Sequence, residues 1–145
     1  MSRITETKRA YDKLVELLDQ EIRKRSGSTQ DLERFRQTLD VAFYLLGWGQ
    51  FEYLVRKEAE ERIEGNARAH TLEGHAWRYL KENVKNFSVR RRLDLIFHEN
   101  TSVRGSLNKE YTVRNEAAHN YKLLPQEAKD ISVWLKELED LVDKF

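Results

Sequence analysis

Val41-Ala42-Phe43-Tyr44-Leu45-Leu46-Gly47-Trp48-Gly49-Gln50-Phe51-Glu52-Tyr53-Leu54 is the stretch that decides the fold. It is apolar almost all round, it never alternates with period two, and it continues a helical stripe of Leu32, Phe35, Leu39, Phe43 and Leu46. Such a segment is expected to be the central, buried helix of a bundle. The full helix is expected over about residues 30–64, opened by Ser28 or Thr29 as cap and closed by a charged, solvated end from Arg56 to Glu64. Glycine inside a helix costs about 1 kcal/mol relative to alanine. Gly47 and Gly49 therefore imply a packing reason, with a second helix backbone coming close.

Outward from this helix the same period recurs. Tyr11, Leu14, Val15, Leu18 and Ile22 mark a first helix over about residues 6–25, which Ser26-Gly27-Ser28 ends. A loop is expected from Gly65 to Gly74. Helices follow over about residues 75–86 and 89–97, then a loop over Asn100–Gly105 and a fifth helix over about 107–120 capped by Ser106. Leu123-Leu124-Pro125 is expected to start the last helix, with proline in its first turn. Ile131, Trp134, Leu135, Leu138, Leu141 and Val142 give that helix a clean apolar stripe. The expectation is one all-α domain over residues 1–145, a bundle of five or six helices.

Composition narrows the chemistry. The 145 residues carry a net charge of +1, so any surface for nucleic acid must be local. With no cysteine there is no disulfide, thiolate metal site or cysteine nucleophile. Met1-Ser2-Arg3-Ile4-Thr5-Glu6 carries no apolar signal region, and the run from Val41 to Trp48 is too short to span a bilayer. These point to a cytoplasmic protein without a membrane partner. His70 and His75 flank Glu73 without further ligands at metal spacing, so no metal or cofactor is expected.

One segment carries a reaction: Arg114-Asn115-Glu116-Ala117-Ala118-His119-Asn120-Tyr121. A histidine moves protons at neutral pH, and an arginine's planar fork matches phosphate oxygens. Together they suit RNA cleavage without a metal, in which the 2′-hydroxyl attacks the adjacent phosphate and leaves a 2′,3′-cyclic phosphate and a 5′-hydroxyl. Arg114 and His119 lie about 140° apart on a straight helix, so they share no face. Asn115 and His119 do, which makes Asn115 a candidate to orient the imidazole. Ala117 and Ala118 leave room for a second helix. A two-fold pair of these helices would bring the groups together, so a homodimer with a composite site is expected. The bland alternative is an ion-pairing surface arginine and a helix-capping histidine.

The bare pattern, an arginine and then a histidine a few residues on, does not select this pair, because Arg92 and His98 also satisfy it, with five residues between. There Leu93 follows the arginine and Phe97 precedes the histidine, as expected of a structural helix end. Arg90, Arg91 and Arg92, with Arg78, Lys81 and Lys85, form a candidate strip for RNA phosphates or simply a solvated face. Trp48, Trp77 and Trp134 are expected in the core.

The Arg114-Asn115-x3-His119 pattern, placed before the last helix of a helical bundle, resembles the signature of the HEPN domains. The stretch Leu46–Glu52 is similar to the central helix of several HEPN subfamilies, with Glu52 at the position where a supporting polar residue often stands. The resemblance implies a dimeric, metal-independent endoribonuclease of the toxin or antiviral kind. In one toxin–antitoxin group the signature extends to His-x-Tyr, and a partner nucleotidyltransferase silences the toxin by adenylylating the tyrosine. His119-Asn120-Tyr121 matches, with Asn120 where that group usually has glycine, which makes Tyr121 the candidate modified residue. The alternative class is a HEPN-like module that does not cut and serves dimerisation, RNA binding or nucleotide binding.

Overall fold

A computed structural model describes residues 3–145; the first two residues of the Met1–Glu6 start lie outside it. The protein is all-α. Among the described residues are six α-helices and no strand: α1 (Arg3–Lys24), α2 (Gln30–Ala67), α3 (Leu72–Asn83), α4 (Val89–Ile96), α5 (Thr101–Asn120) and α6 (Ile131–Val142), with one 3₁₀ turn over Val84–Asn86. No described helix is long and apolar enough to cross a membrane. The chain forms two compact units. One takes the described residues up to Phe51 together with Tyr111–Phe145, and the other takes Glu52–Glu110.

The first unit is built on the front half of α2. Tyr44, Trp48 and Phe51 are buried there, as are Ile4 and Tyr11 of α1 and Ile131, Trp134, Leu135 and Leu138 of α6, with the Tyr44 ring 4.5 Å from that of Trp134. Trp48 is wholly buried, with ring centroids 5.7 Å from both Phe51 and Tyr111 and 6.2 Å from Trp134. Polar links align α1 with its neighbours. Thr7 Oγ1 lies 2.8 Å from Gln50 Oε1, and Thr5 hydrogen-bonds Glu139. The Tyr11 hydroxyl donates to Asp40 at 2.6 Å; burial, and then that carboxylate, push its phenol well above the ordinary tyrosine range.

Gly47 has the close neighbour that its cost implied, but side chains rather than backbone fill the space. A methyl there would stand 2.6 Å from Leu135 Cδ2 and 2.7 Å from Trp134 Cζ3. Gly49 is different: a methyl there meets nothing within 4 Å. The expectation that α2 is buried all round also fails on this side. Phe35 and Leu46 are exposed, and Leu39 and Phe43 are only half-buried. The helix is apolar all round because it has two apolar faces, and this chain's own core covers one.

In the second unit, the Arg56–Glu64 part of α2 expected to be solvated buries Ala59 and Ile63, within a stripe that runs at every fourth residue from Val55 to Ala67. Its charges occupy the other faces, and α2 runs three residues past the expected Glu64. The loop from Gly65 shrinks accordingly. Thr71 caps α3 by accepting from Gly74 N at 3.0 Å. Gly74 is obligatory, since a Cβ would stand 1.9 Å from the Ala69 carbonyl oxygen. Arg78 donates to the Ala67 and Ala69 carbonyls at 2.9 and 3.1 Å, satisfying the end of α2. Val84, Leu93, Ile96 and Leu107 complete this unit's core, while Trp77 is half-buried rather than central.

α1 and α3 each begin three residues before their expected starts, and two later helices have caps other than the expected ones. Asn100, not Ser106, opens α5: its Oδ1 accepts from Val103 N at 3.1 Å and its carbonyl from Arg104 N at 3.0 Å. Asn100–Gly105 is thus the cap and first turn of a helix. Pro125 does not start α6. It closes a turn with Ala128 N at 3.0 Å, and Asp130 caps α6 instead, accepting from Val133 N at 3.2 Å. An Asp cap satisfies an orphan amide, which a proline in the first turn cannot do.

The two glycines of α2 make a paired prediction. Gly47→Ala overpacks the Trp134–Leu135 contact and should lower stability by about 1–3 kcal/mol. Gly49→Ala should raise it by up to about 1 kcal/mol in dilute solution. Urea denaturation at low protein concentration reads both; equal effects at the two sites would contradict the assignment of Gly47 to the core.

Candidate functional site

The signature lies on the last turns of α5, in the first unit. Tyr111 anchors it from the N-terminal side, since its ring packs on Trp48. Ala117 is buried and Ala118 half-buried, so this part of α5 presents small residues inward and polar ones outward.

Arg114 is half-buried and held in place. Its Nη1 donates to Asn115 Oδ1 at 3.0 Å, and its guanidinium carbon sits 5.7 Å from the centroid of the Tyr111 ring. A stacked, hydrogen-bonded guanidinium loses little freedom when an anion arrives. Asn115 was expected to orient the imidazole, but its Oδ1 is engaged by Arg114. What Asn115 orients here is the guanidinium.

His119 is exposed, and it makes no hydrogen bond or ion pair among the described residues. The rival His98 is tied down instead. Its Nδ1 lies 2.9 Å from the Leu95 carbonyl oxygen, its Nε2 is 3.6 Å from Glu99, and Arg92 donates from Nη2 to the Val84 carbonyl at 3.4 Å. Both members of the rival pair thus have structural work at helix ends.

The chain just after His119 is fixed by charge. Glu116 accepts from Asn120 Nδ2 at 3.1 Å and pairs with Lys122 Nζ at 2.8 Å. The Lys122 bond first, then that of Asn120, holds the Glu116 carboxyl below its ordinary range. Tyr121 leaves the helix, although helical spacing alone would set it on one face with Arg114 and Ala118. Its φ is +54°, the left-handed conformation that ends many helices but usually falls on glycine or asparagine, and its side chain is 91% exposed.

The remaining candidates are more dispersed. Glu52 is half-buried on α2 and belongs to the other unit. Arg90 and Arg91 are exposed in the first turn of α4, whereas Arg92 is half-buried against Val84. Of the rest of the basic strip, Arg78 caps α2 and Lys81 lies 3.7 Å from Glu64, and both are exposed, as is Lys85. No group of three or more potential metal-ligating side chains gathers among the described residues. Tyr111 was absent from the sequence-based candidates. Its place one turn before Arg114 is the signal that would have found it.

No protein-family model matches the chain, and comparison with curated proteins and with solved structures finds no match.

Strain at Tyr121 is measurable. A left-handed non-glycine residue costs about 1 kcal/mol, so Tyr121→Gly should raise the melting temperature by about 2–4 °C. Differential scanning calorimetry tests this; a fall would show that the tyrosine side chain holds the end of α5.

Proposed function

We propose that this protein is a metal-independent RNA endonuclease whose active site is assembled from the α5 helices of two copies. Arg114 binds the scissile phosphate and stabilises the charge that builds on it. His119 transfers the proton, either from the attacking 2′-hydroxyl or to the leaving 5′-oxygen. The products carry a 2′,3′-cyclic phosphate and a 5′-hydroxyl.

One observation carries the reading. Within a single stretch of α5, the arginine is braced by Asn115 and Tyr111 while the histidine is exposed and uncommitted. That is the preparation expected of an anion clamp and a proton carrier, and the rival Arg92–His98 pair lacks it. Because α5 is helical through Asn120, the two groups stay about 140° apart within one copy. A second copy is what supplies the missing partner group. Arg90 and Arg91 offer contacts for more distant phosphates.

The resemblance to HEPN proteins extends the proposal to a cellular role as a toxin or antiviral effector. Tyr121, exposed two residues after His119, is open to modification by a nucleotidyltransferase antitoxin. A non-cleaving HEPN-like module is the second reading; the separation of Arg114 from His119 within one chain is the observation that favours it.

Two assays separate these readings. RNA incubated with the protein and a chelator should be cut, and His119→Ala and Arg114→Ala should each lower the rate by at least about 100-fold. Cleavage that survives in both variants, or that requires a divalent cation, contradicts the mechanism; no cleavage of any RNA favours the module. Mixing the two inactive variants tests the composite site. Half the dimers then pair unlike chains, and each has one intact site, so about a quarter of the wild-type rate should return. No recovery after subunit exchange would place both groups in one chain.

A further inference from the structure

Phe35, Leu39, Ala42, Leu46 and Gly49 follow one another on α2 at spacings of four, three, four and three. That is the seam of a coiled coil, apolar positions recurring every 3.5 residues on average. All five are exposed or half-exposed. Phe35 is 56% and Leu46 48% exposed. No charged residue occurs from Val41 to Phe51 on any face. Leu14, Leu17 and Leu18 of α1 widen the Phe35 end into a groove of about 310 Å³ with Phe35 and Leu39, with Glu21 at its edge.

We propose that this seam is a self-association surface, closed by the α2 helix of a second copy running antiparallel about a two-fold axis at Ala42. Placing the axis at Ala42, the small residue at the middle of the seam, fixes the register. An axis at residue 42 sets Phe35 of one copy opposite Gly49 of the other, and Leu39 opposite Leu45. The largest side chain of the seam thus meets its smallest position, twice. This gives Gly49 the role that its own chain does not, because nothing lies within 4 Å of a methyl placed there. Small residues at Ala42 and Gly49 let two helix backbones approach, and the uncharged run from Val41 to Phe51 lowers the desolvation cost of closing that half of the seam, while Arg36 and Asp40 lie within its other half. The apolar groups on α1 and α2 offer on the order of 500 Å² per copy, about 1,000 Å² for the pair, which is the threshold of a specific interface.

The pairing goes beyond the cleavage reading and does not depend on it. Trp48, whose ring meets Tyr111 of α5, projects about 200° round α2 from Leu46. Pairing through the seam therefore leaves the signature on the outer side, and the α5 pairing proposed for cleavage is a second, different contact. Two such two-fold contacts per chain build a closed tetramer where their axes cross at right angles.

The chain has no cysteine, which allows a direct test. Ala42→Cys puts two thiols at the axis, and mild oxidation should convert most of the protein to a covalent dimer on a non-reducing gel. Lys136→Cys, exposed on α6, should remain single under the same conditions. Leu46→Asp should halve the particle mass measured by light scattering while the helical circular dichroism is retained. Equal cross-linking at positions 42 and 136, a wild-type monomer, or an unchanged mass in a folded Leu46→Asp overturns the proposal. Should Leu46→Asp fail to fold, the thiol comparison decides. Neither readout involves RNA: equal cross-linking at the two positions or an unchanged mass in Leu46→Asp removes the seam and leaves the nuclease reading standing, whereas a wild-type monomer removes the seam and the composite site together.

Discussion

The burial of Trp48 is the contact on which the first unit depends. Its indole sits in a wholly closed space made by Phe51, by Tyr111 of α5 and by Trp134 of α6. Gly47, just before it, lets Trp134 and Leu135 close over the helix. An aromatic cluster of this kind contributes several kcal/mol through area alone, with more from the edge-on ring contacts. It also has a chemical consequence. Tyr111 is held by Trp48 on one side and receives the Arg114 guanidinium on the other, so the position of the arginine is inherited from the core.

This inheritance explains why the two signature residues differ so much. Arg114 lies one turn from the core contact and is fixed by it. His119 lies beyond Ala117, the last buried residue of α5, where no packing reaches. An electrostatic group gains from rigidity, because it need not reorganise as charge develops. A proton carrier needs access to the substrate. The strained left-handed turn at Tyr121 and the Glu116 clamp on Asn120 and Lys122 then fix the chain directly after the histidine.

Much of this was readable from the residues. The stripe of Ile131, Trp134, Leu135 and Leu138 became the buried face of α6, and the long central helix lay where the Val41–Leu54 run placed it. Caps were harder, because several residues near a helix start compete for one role. Asn100 displaced Ser106, and Asp130 displaced Pro125, each by bonding an amide that the alternative left unpaired. The face of α2 was misread for a physical reason. Hydrophobicity all round a helix looks the same whether two faces are buried in one chain or one face awaits another chain, and only the exposure of Phe35 and Leu46 tells them apart. The site was half legible: spacing showed that Arg114 and His119 diverge, but not that Asn115 would bond the arginine or that Tyr111 would brace it.

The proposed mechanism makes the RNA its own nucleophile, and this is its most exposed claim. End-group analysis of cleaved RNA by mass spectrometry tests it directly. The account predicts 2′,3′-cyclic phosphate and 5′-hydroxyl ends, and no cleavage where a single 2′-deoxynucleotide replaces the residue before the scissile phosphate. Products ending in 3′-hydroxyl and 5′-phosphate, or cleavage that ignores the missing 2′-hydroxyl, would contradict it.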